Sequence, residues 1–187
     1  MMNKHNIRQQ LRTKRQALSS SQTNHNSTQI CQRIVANYLT DINLHIGIYL
    51  PFGNEVNLKS LSQHHPKLYI PSVQGKNMQF QPWTQTTTIN THPLGMQQPT
   101  FDTELRRTHL DICFLPLLGF DNQGNRLGMG GGFYDRYFEN ISDTLLIGVG
   151  HDCQQVDALP HDDWDVKLEG IVTESQHLNF QKQTNTT

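Results

Sequence analysis

The chain has 187 residues and a formal net charge of -1, enough length to bury one good core without staples and too little charge to hold nucleic acid or an anionic membrane by its overall field. Its 35% hydrophobic and 17% charged content is that of a somewhat polar globular protein, and a single domain over residues 1–187 is expected. Cys31, Cys113 and Cys153 lie far apart without a CxxC, and the ten histidines show no HExxH or paired Cys/His spacing, which argues against a disulfide framework or a zinc site.

The charge is unevenly spread. Lys4, Arg8, Arg12, Lys14, Arg15 and Arg33 all precede the first acid, Asp41, so the opening forty residues carry +6 and the remainder -7. Phosphate-bearing ligands should be drawn to that segment. An Arg- and Ser-rich, acid-poor start also fits a mitochondrial transit peptide, the lesser alternative. There is no apolar stretch for secretion or for spanning a bilayer, so a soluble cytoplasmic protein is expected.

From Asn3 to Leu18 the apolar Ile7, Leu11 and Leu18 recur at helical spacing, with Lys4, Arg8, Arg12 and Arg15 on a neighbouring stripe, which predicts an amphipathic helix with a basic ridge. Such a ridge taken alone is a solvated face. Ser19, Ser20 and Ser21 interrupt the pattern, and a second helix is predicted from Thr28 to Leu39, giving two N-terminal helices within residues 1–40.

His45–Leu50 reads as a buried strand ending at Pro51, followed by the turn-like FGNE and a short helix from Asn57 to Gln63. Lys67–Val73 and Met78–Trp83 are further strands, and the stretch from Thr84 to Phe101 reads as a long polar loop. Leu110–Leu118 (LDICFLPLL) is nearly continuous in apolar residues, the mark of a central strand covered on both faces. A helix beginning at Phe133 and running to Asn140, a buried strand at Thr144–Val149, a last strand at Gly170–Thr173 and a frayed tail over about 181–187 complete the chain. The alternation of strands and helices predicts an α/β fold: a mostly parallel central sheet with helices on both faces, binding ligands beyond the carboxyl ends of its strands.

The richest segment is LPLLGFDNQGNRLGMGGGFYDRYF, Leu115–Phe138, which holds six of the thirteen glycines. Gly128, Gly130, Gly131 and Gly132 lack Cβ, so backbone N–H groups can converge on an anion just before a helix N-terminus. Neither a Walker A sequence nor a dinucleotide fingerprint is present. Arg126 supplies a fixed charge for phosphate oxygens, while Asp135 beside a phosphate requires an intervening cation, for which Mg²⁺ is the natural choice.

NRLGMGGGFYDRY, with YLPFGNEV (Tyr49–Val56), KLYIPSV, DVKLEGIVTES (Asp165–Ser175) and the Lys4-to-Arg8 spacing, resembles the 5-formyltetrahydrofolate cyclo-ligase family over nearly the whole chain. The resemblance implies a NagB/RpiA/CoA transferase-like three-layer architecture and ATP binding by Lys4, Arg8, Arg126, Leu127, Gly128, Met129, Gly130, Gly131, Gly132, Phe133 and Tyr134. It also implies folate contacts at Leu50 and Glu55, and Mg²⁺ held by Asp135 and Asp165, with Asp162 and Asp163 as alternatives for the second ligand. The chain departs from the family pattern in two places: Leu94 and Met96 stand in a loop where an aromatic side chain is frequent, and Met129 stands where some members are basic.

The implied reaction is ATP- and Mg²⁺-dependent cyclisation of 5-formyltetrahydrofolate to 5,10-methenyltetrahydrofolate by a monomer, with no nucleic-acid or membrane partner. Phe133 and Tyr134 either pack over the nucleotide or anchor their helix, and His151, Asp152 and Cys153 are taken as structural. The competing readings are a sugar-phosphate isomerase or CoA transferase using the same glycine loop, a non-catalytic binder of folate or nucleotide, and a nucleic-acid binder acting through residues 4–15.

Overall fold

A computed structural model of the chain describes residues 3–180; the tail expected to fray, about 181–187, lies outside the described residues. Helix α1 spans Lys4–Gln16 and α2 spans Ser20–Tyr38. The strands that follow are β1 (Ile46–Gly47), β2 (Leu68–Gln74), β3 (Asn77–Trp83), β4 (Ile89–Thr91), β5 (Gln97–Pro99), β6 (Ile112–Pro116), β7 (Gly119–Phe120), β8 (Arg126–Leu127), β9 (Leu145–Val149), β10 (Gly170–Val172) and β11 (His177–Asn179). Helix α3 (Phe133–Phe138) lies between β8 and β9, and single 3-10 turns occupy Lys59–Gln63 and Asp152–Gln154.

Seven strands form the main sheet in the order β11-β10-β9-β6-β1-β2-β3. The inner five, β10 to β2, are parallel, and β3 and β11 pair antiparallel on the two edges. The β6 sequence ICFLP explains its central place, because alternate side chains enter opposite cores. Phe114 packs with Ile30 and Ile34 of α2, whereas Cys113 and Leu115 pack with Tyr137 and Phe138 of α3. Helices therefore cover both faces, as the sequence pattern predicts.

Several boundaries differ from the sequence expectation. α2 begins at Ser20 rather than Thr28: Ser19 and Gln22 form a reciprocal capping box, which lets a polar first half join the helix. β3 turns back on β2 through Gly75 and Lys76, with Gly75 at φ +61°, so this pair is a hairpin and not a crossover. The polar stretch after Trp83 contains the β4–β5 hairpin, and Gln98 ties it to β2 by accepting from Val73 N and donating to Val73 O. β11, absent from the sequence pattern, follows β10.

α1 sits close to the sheet's ligand-binding end because Gly119 permits it: a Cβ there would lie 2.4 Å from Leu11 Cδ1. Ile7 and Leu11 pack on Leu127 and Leu159, and Arg15 occupies the same buried stripe four residues after Leu11. Arg15 is thus not part of the solvated ridge on which its charge would place it.

Candidate active site

The β7–β8 hairpin aims the glycine-rich segment. Buried Asp121 organises its turn, with Oδ1 accepting from Gln123 N and Asn125 N and Oδ2 accepting from Asn125 Nδ2 and Leu159 N. Arg126 leaves this hairpin nearly buried, with its Nη2 donating to Asp135 Oδ1 at 2.6 Å and its guanidinium 5.7 Å from the Tyr134 ring centroid. Its Nε is buried without a partner. Gly130 and Gly132 have φ of +101° and +62°, conformations that side chains with a Cβ resist. Gly132 begins α3, and no side chain caps that first turn.

α1 supplies the facing wall. Asn3 caps the helix by accepting from Asn6 N, and Lys4 and Arg8 follow one turn apart. Arg8 Nε donates to Gly128 O at 3.0 Å. Lys4 Nζ donates to Asp162 Oδ2 at 2.6 Å and Asp165 Oδ2 at 2.5 Å. Burial opposes the charge on Lys4, but the two aspartates outweigh it and raise its pKa. Burial likewise works against Asp165, yet the Lys4 ammonium and the Asp162 N–H hold its carboxyl below the usual range. Asp162 shares the cleft with Asp165, whereas Asp163 is exposed and outside the lining.

The third wall follows β1. Leu50 and Tyr49 are buried at the cleft, and Glu55 returns into it from the FGNE turn. Glu55 Oε2 accepts from Phe52 N at 3.0 Å, and Oε1 faces Arg15 Nη1 at 3.3 Å. Burial pushes the Glu55 carboxyl up, against the lowering pull of Arg15 and the Phe52 N–H. Tyr49 Oη is buried and unpartnered, and burial beside Glu55 raises its pKa well above the ordinary value.

These walls enclose one cleft of about 550 Å³. All of Lys4, Arg8, Leu50, Glu55, Arg126, Leu127, Gly128, Met129, Gly130, Gly131, Gly132, Phe133, Tyr134, Asp135 and Asp165 line it, as do Leu94 and Met96 from the β4–β5 hairpin. Tyr134 both lines the cleft and packs against the core beneath α3. Sequence reasoning did not single out Arg15 or Tyr49. For Arg15 the signal was its place in the apolar 7-11-15 stripe; for Tyr49 no local signal exists. His151 lies outside the lining: its Nε2–H donates to Asn54 O while Nδ1 accepts from Asn26 Nδ2, which pins the turn carrying Glu55, and burial keeps its pKa low.

A glycine-lined loop joined to an apolar wall with a buried carboxylate, at the carboxyl ends of parallel strands, is the ligand cleft of an α/β enzyme fold, with the chemistry to seat an anionic group against an apolar one. Residues 1–174 match the model of the 5-formyltetrahydrofolate cyclo-ligase family, and the chain belongs to that family. Over 180 residues it is 33% identical to the 5-formyltetrahydrofolate cyclo-ligase of Haemophilus influenzae, covering 88% of this chain and 96% of the relative. The enzyme of Escherichia coli K12 is 31% identical over 178 residues, covering 89% of this chain and 97% of the relative. Among solved structures, a 5,10-methenyltetrahydrofolate synthetase from Mycoplasma pneumoniae superposes with TM-score 0.71 at 27% identity over 92% of this chain and 99% of that one. The Aquifex aeolicus 5,10-methenyltetrahydrofolate synthetase shares the fold at TM-score 0.80 and 23% identity over the full length of both chains. The chain is thus a ligase of folate metabolism.

Proposed function

We propose that the chain catalyses the ATP- and Mg²⁺-dependent cyclisation of 5-formyltetrahydrofolate to 5,10-methenyltetrahydrofolate, releasing ADP and phosphate, as a cytoplasmic monomer without nucleic-acid or membrane partners. The observation that carries the reading is the single cleft in which the glycine loop, Lys4 and Arg8 face Leu50 and Glu55. ATP phosphates lie along Gly128–Gly132 with Arg126 and Arg8, and the pterin lies against Leu50 with Glu55 accepting from its amino and ring N–H groups.

Asp135 and Asp165 fit Mg²⁺. Asp135 Oδ1 accepts from the N–H of Val166, the residue after Asp165, and both aspartates line the cleft. Among the described residues no group of three or more His, Cys, Asp or Glu is placed to hold a metal alone, and Mg²⁺ characteristically takes one or two carboxylates plus substrate phosphates. Held there, the ion neutralises charge on the phosphoryl group.

A formamide carbon is a poor electrophile whose oxygen cannot leave as hydroxide at neutral pH. The formyl oxygen therefore attacks Pγ, forming an O–P bond as the bond from Pγ to the ADP oxygen breaks. N10 of the same folate then attacks the activated carbon; its proton is lost, and the C–O bond to phosphate breaks as the ring closes. The chain's part is positioning and charge stabilisation. Arg126, Arg8 and the loop N–H groups hold the phosphates, Lys4 exchanges its aspartate partners for phosphate oxygens, and Glu55 with Leu50 orients the pterin.

The test is growth of the methenyl-folate absorbance after mixing protein, 5-formyltetrahydrofolate, ATP and Mg²⁺. Growth should require ATP, and Asp135→Asn should lower the rate by roughly 100-fold or more. ATP binding by a folded protein without any growth of the band would sink the reading.

A further inference from the structure

Leu50 belongs to two cavities. On the side away from the glycine loop it also lines a second hollow of about 510 Å³. One bank of this hollow is the 3-10 turn Lys59–Gln63; the other is the connection after β3, with Gln85 and Thr87. Trp83 and Ile89 make an apolar surface between them. No carboxylate lines the hollow, and the exposed Lys59 ammonium has no ion-pair partner among the described residues.

This lining suits a ligand with three consecutive parts. An aromatic ring can lie on Trp83 and Ile89. Amide groups can pair with the neutral Gln63 and Gln85 side chains, which both donate and accept, while the Ser62 hydroxyl, its proton given to Lys59 O, can still accept. A carboxylate can pair with Lys59, with no competing acid in the lining. A phosphate is poorly served here, since neither converging glycine N–H groups nor an arginine is present.

We propose that this hollow is the subsite for the aryl-amide-carboxylate tail of the folate, its p-aminobenzoyl-glutamate portion, entered past Leu50 from the pterin pocket. The inference rests on the cyclisation of a formyl-folate proposed above. One ammonium pairs with one carboxylate, so affinity rises with tail length until a carboxylate reaches Lys59 and is flat beyond that length.

Two measurements test this on the full chain. In the first, p-aminobenzoyl-glutamate and p-aminobenzoyl-triglutamate are titrated calorimetrically into the wild type, Lys59→Arg and Lys59→Glu. In the second, KM is measured for 5-formyltetrahydropteroate, which has no glutamate, and for the mono- and triglutamate of 5-formyltetrahydrofolate. Lys59→Glu should weaken the triglutamate about tenfold in both assays, leave KM for the pteroate and for ATP unchanged, and be rescued by arginine. An unaltered triglutamate affinity, or an equal rise in KM for pteroate and triglutamate, overturns the subsite. A wild type that turns over no formyl-folate ends the functional reading instead, while the tail titration still reports on the hollow by itself.

Discussion

The two charged walls of the cleft are built on opposite principles. On the side proposed to take the nucleotide, Lys4, Asp162 and Asp165 keep 23%, 43% and 20% of their side-chain surface exposed, so water can replace any partner and the ion pairs can be exchanged at modest cost. On the side proposed to take the folate, Arg15 and Glu55 keep only 5% and 8% exposed, and an unpaired charge there has no solvent to turn to. The first wall can rearrange around polyphosphate and metal. The second keeps Arg15 and Glu55 paired out of reach of solvent.

Breaking the buried pair should have the largest effect on the fold. Arg15→Leu leaves Glu55 buried and unpaired, and should cost about 3–5 kcal/mol in urea unfolding while raising KM for folate more than for ATP. The double variant Arg15→Leu, Glu55→Leu should regain much of that stability without regaining folate turnover. Equal loss of folate and ATP affinity in the single variant would show that Arg15 serves the whole fold rather than Glu55.

The exposed wall should respond in ligand affinity instead. Lys4→Gln should raise KM for ATP roughly tenfold and remove, at neutral pH, the modest stability that this partly exposed pair contributes. The pH dependence has two signs. Asp165, lowered in the fold, contributes stability above its unfolded pKa and loses it as pH falls through its depressed folded value. Lys4, raised in the fold, contributes fully below its ordinary 10.5 and loses the contribution as pH rises through its higher folded value. Thermal midpoints measured against pH should therefore fall at both extremes, and Lys4→Gln should flatten both limbs.

The smallest effect sharpens the contrast from within the buried wall. Tyr49 Oη is an orphan, so Tyr49→Phe should stabilise the protein by about 1 kcal/mol, read as a higher urea midpoint. A loss of stability would mean that ordered water satisfies the hydroxyl.

Much of this was legible in the sequence where local pattern and three-dimensional role coincide. Leu110–Leu118 announces a central strand because both of its faces are apolar, and the glycine run announces a backbone-lined wall of the cleft because no side chain is left to line it. What escaped depends on distant partners. β11 and the β4–β5 hairpin are polar and short, and neighbouring backbone and Gln98 hold them. The start of α2 was hidden by its polar first half, although Ser19 and Gln22 carried the cap. Arg15 reads as surface charge until Glu55, forty residues away, comes to meet it. The three aspartates that the sequence leaves alike differ in place: Asp163 is exposed and outside the cleft lining, whereas Asp162 and Asp165 line it and share Lys4.

α1 begins at the cleft with Lys4 and ends behind Glu55 with Arg15. Eleven residues at about 1.5 Å each make this helix a ruler of roughly 16 Å between the charges proposed to serve the two ligands. A ruler of this kind tolerates changes of side chain along its outer edge. Adding or removing a single residue between Arg8 and Arg15 would instead turn one end by about 100° relative to the other, so in the proposed reaction the length of α1 is itself part of what brings a formyl oxygen to a phosphoryl group.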